Sequence, residues 1–250
     1  MNKEDIILQN RLRDLAERCH KNNMYTFTEF LSLSDAAVYY SIESELRYVQ
    51  TTLFGGNDIC ERKILRFGSE EQLGYVEDFP ITVLCIKPLM AKFSDDLSHR
   101  DILGSLMNLG IERSVLGDIF IEDNVAYIFC LNSIADYLCE NISKVKHTSV
   151  ICNKVDSIPS LKKAELSEKV IQVQSERIDG VIAKVLNMSR SQCSVLFSDR
   201  KVFVNGRLNE NSSYTLKCED IVTVRGFGRF IYKGVNGTSK KGKLYAKVMV

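Results

Sequence analysis

The chain has no long apolar run. Its longest, Ile81-Thr82-Val83-Leu84-Cys85-Ile86, is far short of the ~20 residues needed to cross a bilayer. Met1-Asn2-Lys3-Glu4-Asp5 turns acidic at once and leads into a charged helical stretch, unlike a signal peptide. Histidine is scarce, and His20, His99 and His147 are too scattered to suggest a metal site. None of the eight cysteines stands in a C-x-x-C, so the common zinc and redox-pair spacings are missing. Most flank apolar residues, as in Leu84-Cys85-Ile86 and Phe129-Cys130-Leu131, and read as small buried hydrophobes in a reducing compartment. Gly226-x-Gly228 lacks the third glycine of a dinucleotide loop. His99-Arg100-Asp101 echoes a kinase catalytic loop. Leu106 stands where that loop needs Asn, and no D-F-G follows. No nucleophile, base and orienting group recur at recognisable spacing. These absences predict a cytoplasmic, non-enzymatic protein with no cofactor, no metal and no catalytic residue.

What remains is ordinary globular composition. Of 250 residues, 45% are hydrophobic and 26% charged, which excludes a mostly disordered chain. The formal net charge of +1 hides an asymmetry. Residues 175–250 hold 14 Lys and Arg against 6 Asp and Glu, a net of +8, and residues 1–174 carry a net of −7. Without Lys240, Lys241, Lys243 and Lys247 the C-terminal stretch still holds +4. Such a split suggests that one end meets a polyanion.

Periodicity and turn signals divide the chain into three modules. The first, 1–78, is a small α+β domain. It has a helix over 5–20 with Leu8, Leu12, Leu15 and Cys19 on one face, and a second helix capped by Ser34 and running to Arg47. Strands follow at 48–54 and 62–67, separated by Gly55-Gly56. The second module, 79–155, has a strand at 81–87 and a helix capped by Ser98 with Asp101 three residues on, ending at Gly110. Strands at 118–121 and 125–130, a helix over 132–142 and a strand at 146–152 complete a β-α-β-β-α-β order, the ferredoxin-like or RRM-like arrangement. A polar linker is expected over 156–174, with a short strand at 170–173.

The third module, 175–250, opens with an amphipathic helix on Ile178, Val181, Ile182, Val185 and Leu186. Ser189 and Gln192 form a capping box for a helix ending near Ser198. Strands at 201–204 and 221–224 follow, and Asn205-Gly206 is a type I′ turn pair. A helix N-terminus exposes unpaired N–H groups and suits a phosphate. Ser189-Arg190-Ser191 puts a guanidinium and two hydroxyls at one. Arg200, Lys201, Arg207, Arg225 and Arg229 fall near turns and strand ends, within reach of one face. Arg177 reads either as a phosphate ligand or as the structural partner of Asp179.

The runs Arg177-Ile178-Asp179, Ser189-Arg190-Ser191, Lys201-Val202-Phe203-Val204-Asn205-Gly206 and Glu219-Asp220-Ile221-Val222-Thr223-Val224-Arg225 closely resemble the RNA-binding domain of ribosomal protein S-four, the alpha-L motif. Phe54-Gly55-Gly56, Glu61-Arg62-Lys63, Ser98-His99-Arg100-Asp101-Ile102-Leu103-Gly104, Leu109-Gly110-Ile111-Glu112-Arg113, Gly117-Asp118-Ile119 and Arg225-Gly226-Phe227-Gly228-Arg229-Phe230 are similar to the YlmH family. One position departs from the pattern: Asp199-Arg200 stands where the family often has Gly before the Lys-Val strand. The resemblance implies an α+β bacterial protein that binds structured RNA, either ribosomal RNA or a ribosome–tRNA complex on the large subunit, in translation rescue or ribosome quality control. The implied RNA ligands are Arg177, Ser189, Arg190, Ser191, Arg200, Lys201, Asn205, Arg207, Arg225 and Arg229. Two alternatives stand beside it: an adaptor of cell-division proteins, and an RNA-modifying enzyme with an appended binding domain.

Overall fold

The computed structural model describes residues 3–90, 94–156, 158, 167–239 and 242–250. They form two compact units, Met1–Leu161 and Lys162–Val250, with α+β architecture throughout.

In the first unit, helix α1 (Lys3–Asn22) buries Leu12, Ala16 and Cys19 at helical spacing. Leu8 and Leu15 are partly buried beside them. Strand β1 (Thr26–Leu31) was not legible in the sequence. Helix α2 (Leu33–Ile42) has its cap two residues before the expected Ser34. Ser32 caps it, accepting the Asp35 N–H at 3.3 Å, while the Asp35 carboxylate accepts the Ser32 N–H at 2.8 Å. A 3₁₀ turn (Glu43–Leu46) ends the helical run. The expected strand over 48–54 shortens to β2 (Thr51–Phe54), because Val49 N–H closes that turn on Leu46. With β3 (Lys63–Phe67), these strands make an antiparallel sheet of order β1-β3-β2. The short helix α3 (Glu70–Leu73) follows.

The same unit continues with β4 (Ile81–Pro88), α4 (His99–Met107), β5 (Leu116–Glu122), β6 (Val125–Leu131), α5 (Asn132–Asn141), β7 (Lys144–Val145) and β8 (Thr148–Val155). Ser98 and Asp101 form the expected capping box. Helix α4 ends at Met107, and Gly110 adopts the left-handed conformation just beyond it, at φ +77°. The sheet order is β5-β6-β4-β8-β7. Its four long strands take the ferredoxin-like order, and β7 pairs at the edge. Leu84, Ile86, Ala126, Ile128 and Cys152 pack under Ile102, Leu106, Ala135 and Leu138 of the two helices. On the other face, Phe129 joins Phe30 and Ile64 of the N-terminal sheet and Cys60 of its β2–β3 loop in one buried cluster.

In the second unit, β9 (Glu168–Val173) is longer than the strand expected within the linker. It pairs along its whole length with β14 (Leu244–Met249). Of the remaining linker, residues 157 and 159–166 lie outside the described residues. Helices α6 (Ile178–Val185) and α7 (Arg190–Ser198) precede β10 (Val202–Val204), β11 (Arg207–Leu208), β12 (Ile221–Val224) and β13 (Gly228–Thr238). The sheet order is β11-β10-β12-β13-β14-β9. Strands β13 and β14 were not expected, since glycines at 234 and 237 and two register shifts break their alternation. The core gathers Ile178, Val181, Ile182, Cys193, Phe197, Val222, Phe230 and Tyr232. The Tyr232 hydroxyl donates to Glu176 at 2.7 Å.

Candidate nucleic-acid interface

In the second unit, α6 and α7 lie side by side. Ser189 caps α7 as the sequence predicts. Its Oγ accepts the Gln192 N–H at 3.2 Å, and the Gln192 side-chain oxygen accepts the Ser189 N–H at 2.9 Å. Ser191 Oγ lies 2.9 Å from Ser189 Oγ, so both hydroxyls are engaged in the cap. Arg190 is the first helical residue and is exposed. A Cβ built on Gly180 would stand 3.6 Å from its guanidinium, so the side chain lies against the start of α6. The Cys193 thiol donates to the Asp179 carbonyl at 3.3 Å and ties the two helix starts together.

Arg190 lines a groove of about 450 Å³ together with Lys184 of α6 and Lys243, next to β14. Gln172, Gln174, Gly180, Ala183 and Met188 are also in its wall. Three cations meet there, and among the described residues no carboxylate lines it. Sequence reasoning missed Lys184 and Lys243. Lys184 could have been placed from the helical period, since it falls outside the buried set Ile178, Val181 and Ile182. Lys243 could not, because its position depends on the pairing of Leu244 with Val173 across a long stretch of chain.

Arg177 sits at the N-cap of α6 and grips Asp179, with Nε–Oδ1 3.1 Å and Nη2–Oδ2 3.0 Å. Its backbone bridges to Thr215. The structural pair anticipated for these two residues is present. Burial works to raise the Asp179 pKa. The Arg177 bond, the Gly180 N–H and the positive charges of Arg177 and Arg190 outweigh it and hold the carboxyl below the usual range.

The remaining residues divide between two ends of the sheet. Arg225 N–H donates to the Lys201 carbonyl at 2.9 Å, and Val224 pairs with Gly228, so Lys201, Arg225 and Arg229 cluster at one end. Lys201 Nζ pairs with Asp199 at 2.8 Å, and Arg200 Nε lies 3.7 Å from Glu210. Arg200 has φ +55°, a conformation that favours glycine. The glycine expected at this turn therefore has a backbone reason, and the turn survives the substitution. Asn205 and Arg207 lie past Val204, at the other end of β10. Asn205 and Gly206 have φ of 52° and 77°, as a type I′ turn requires. The Asn205 amide donates to Asp220 at 2.8 Å and its oxygen accepts the Ile221 N–H at 2.9 Å, so the side chain works within the turn. The structure thus does not bring all these residues to one face.

In the first unit, Arg62, Arg113 and Gly117-Asp118 of the motifs that suggested a family meet where the two sheets join. The Arg62 guanidinium donates to the carbonyls of Leu116 (2.8 Å), Phe30 (2.8 Å) and Arg113 (3.1 Å). Arg113 in turn donates to Leu116 and Gly117 carbonyls at 2.8 and 3.0 Å. Burial, then the neighbouring Arg62 charge, pushes the Arg113 pKa down to about 10. Gly56 has φ +95°, and a Cβ there would stand 2.3 Å from the Phe129 ring. This cluster holds the two sheets together, and its donors are spent on main-chain carbonyls.

Residues 75–158 match the family described as "Putative RNA-binding domain in YlmH". The chain is 26% identical over 217 residues to "Ribosome-associated protein quality control protein P2" of Bacillus subtilis (strain 168), spanning 86% of this chain and 83% of that protein. Among solved structures, "Cell division protein ylmH from Streptococcus pneumoniae" aligns at a TM-score of 0.49 with 18% identity, over 62% of this chain and 93% of that one. The matched segment spans the whole ferredoxin-like sheet and both its helices, so the likeness to the YlmH RNA-binding domain is to this sheet and its helices.

Proposed function

We propose that this chain is a non-enzymatic protein that binds structured ribosomal RNA, with Lys162–Val250 acting as an S-four-type RNA-binding module. The observation that carries the reading is the groove of Lys184, Arg190 and Lys243, with no carboxylate among its described lining residues, in the unit whose residues 175–250 carry a net charge of +8. Convergent cations at a capped helix start favour a phosphate run, because each displaces condensed counterions. The match to an RNA-binding domain over residues 75–158 supports the same class of ligand. The Bacillus relative, by its name, is ribosome-associated and acts in quality control. A large-subunit complex, with or without tRNA, in translation rescue is the corresponding role here.

The test is filter binding of the full chain to ribosomal RNA across a salt series. Affinity should fall steeply with salt. Replacing Lys184, Arg190 and Lys243 together by Ala should weaken binding and flatten the log–log salt slope by about 2–3, at roughly 0.7–0.9 per lost phosphate contact. A wild-type chain without affinity at low salt would overturn the reading. Partners recovered from a lysate should be ribosomal and should be lost on ribonuclease treatment. Division proteins retained after that treatment would favour the adaptor role instead.

A further inference from the structure

The hairpin tip between β12 and β13 carries an aromatic side chain that the fold does not use. Phe227 is 55% exposed and is not part of the core that holds its neighbours Val224 and Phe230. The tip is well defined. Phe227 N–H donates to the Val224 carbonyl at 2.9 Å, Arg225 N–H donates to Lys201, and Val224 pairs with Gly228. Gly226 and Gly228 hold φ of +87° and +117°, and a Cβ at either would meet nothing within 4 Å. These glycines therefore serve the turn and leave open space around it. Exposed Arg225 and Arg229 flank the ring two residues away on each side, and Lys201 adjoins at the end of the neighbouring strand.

An exposed phenyl ring among cations is poorly suited to an apolar protein pocket, which would have to desolvate the charges around it. A nucleobase presents a π-face to the ring while its own phosphates meet the arginines. We propose that Phe227 is a stacking platform for an unpaired base, with Arg225 and Arg229 on the flanking phosphates. The site rests on the RNA-binding reading above and adds to it a preference for RNA with a base out of the stack, at a bulge or loop.

The chain contains no tryptophan, so Phe227→Trp introduces a single fluorophore at the site. Full-length protein is titrated with two RNAs: a stem bearing one bulged adenosine, and the same stem with an abasic nucleotide at the bulge. Wild type should prefer the first by about 5- to 150-fold, the range for loss of one base–aromatic stack. Phe227→Ala should bind both like the abasic stem, with an unchanged melting profile. Phe227→Trp should keep the preference, and its emission should be quenched by the bulged stem alone. Equal binding of both stems by wild type, a preference that survives Phe227→Ala, or an unquenched tryptophan would each overturn the stacking role. Wild type that binds neither stem at low salt would overturn the RNA-binding reading beneath it.

Discussion

Asp118 and Arg62 meet where the two sheets of the first unit join. The Asp118 carboxylate accepts the backbone N–H of Arg62 at 3.1 Å and of Glu61 at 2.6 Å. The Arg62 guanidinium meanwhile donates to three carbonyls, on β1, on β5 and just before β5. One residue pair thus satisfies backbone groups on both sides of the junction, and the fork geometry of Arg allows it where a lysine would not. Arg62→Ala would take the side-chain donor from the carbonyl of buried Phe30, while the Leu116 carbonyl keeps Arg113. At about 1–3 kcal/mol for one unsatisfied buried group, the first unit should lose about 1–3 kcal/mol. Urea unfolding of the full chain should show its transition moving to lower urea. Arg62→Lys should recover little of the loss.

Packing at the same junction leaves no room at Gly117. A Cβ there would stand 2.8 Å from both Phe129 Cβ and the Phe30 ring. Gly117→Ala should cost about 1–3 kcal/mol through overpacking. Gly104, within α4, is the control, because its Cβ would meet nothing within 4 Å. Gly104→Ala should stabilise the unit by roughly 0.5–1 kcal/mol through helix propensity. Thermal melts of the two variants should move in opposite directions.

These two glycines also show how far the sequence was legible. Elements with strong local signals came through: the Ser98 and Ser189 capping boxes, the Asn205-Gly206 turn and the amphipathic α6 all depend on neighbours within four residues. Strand β1 did not, because Thr26, Thr28 and Glu29 blur its alternation, and Thr28 Oγ1 accepts the Leu65 N–H at a bulge. Arg62 and Asp118 could be recognised as motif residues, but local sequence does not show that they face each other across two sheets. The groove divided in the same way. Arg190 was legible from its cap. Lys243 reads as one of a lysine-rich tail until β14 pairs with β9.

The start of α6 should be acid-sensitive. Asp179 has its pKa held below the usual carboxylate value of about 3.9. A carboxyl depressed in the folded state contributes stability that is fully present above its unfolded pKa and is lost as pH falls through its folded pKa. Wild type should therefore be more stable than Asp179→Asn at pH 7. The difference should shrink below about pH 4, as protonation releases the grip on Arg177. Melting curves of the second unit's transition from pH 7 to pH 3 measure this. A difference constant across that range would show that Arg177 is held by its backbone bridge to Thr215 instead.

Ser189 and Arg190 are adjacent yet should fail in different ways. Ser189 Oγ accepts the Gln192 N–H and completes the reciprocal cap of α7. Ser189→Ala should cost the second unit about 0.5–2 kcal/mol of stability. Arg190 is exposed in the first helical turn, where its positive charge opposes the helix dipole and the neighbouring Asp179 compensates it. Its removal should leave the melting temperature nearly unchanged. A charge-assisted contact to one phosphate is worth about 1–3 kcal/mol, so Arg190→Ala should weaken ribosomal RNA binding roughly 5- to 150-fold near physiological salt. Binding and melting measured on both single variants separate the roles. An Arg190→Ala chain that binds like wild type, or that unfolds, would remove this helix start from the interface and leave the sheet end with Lys201, Arg225 and Arg229 to hold the RNA.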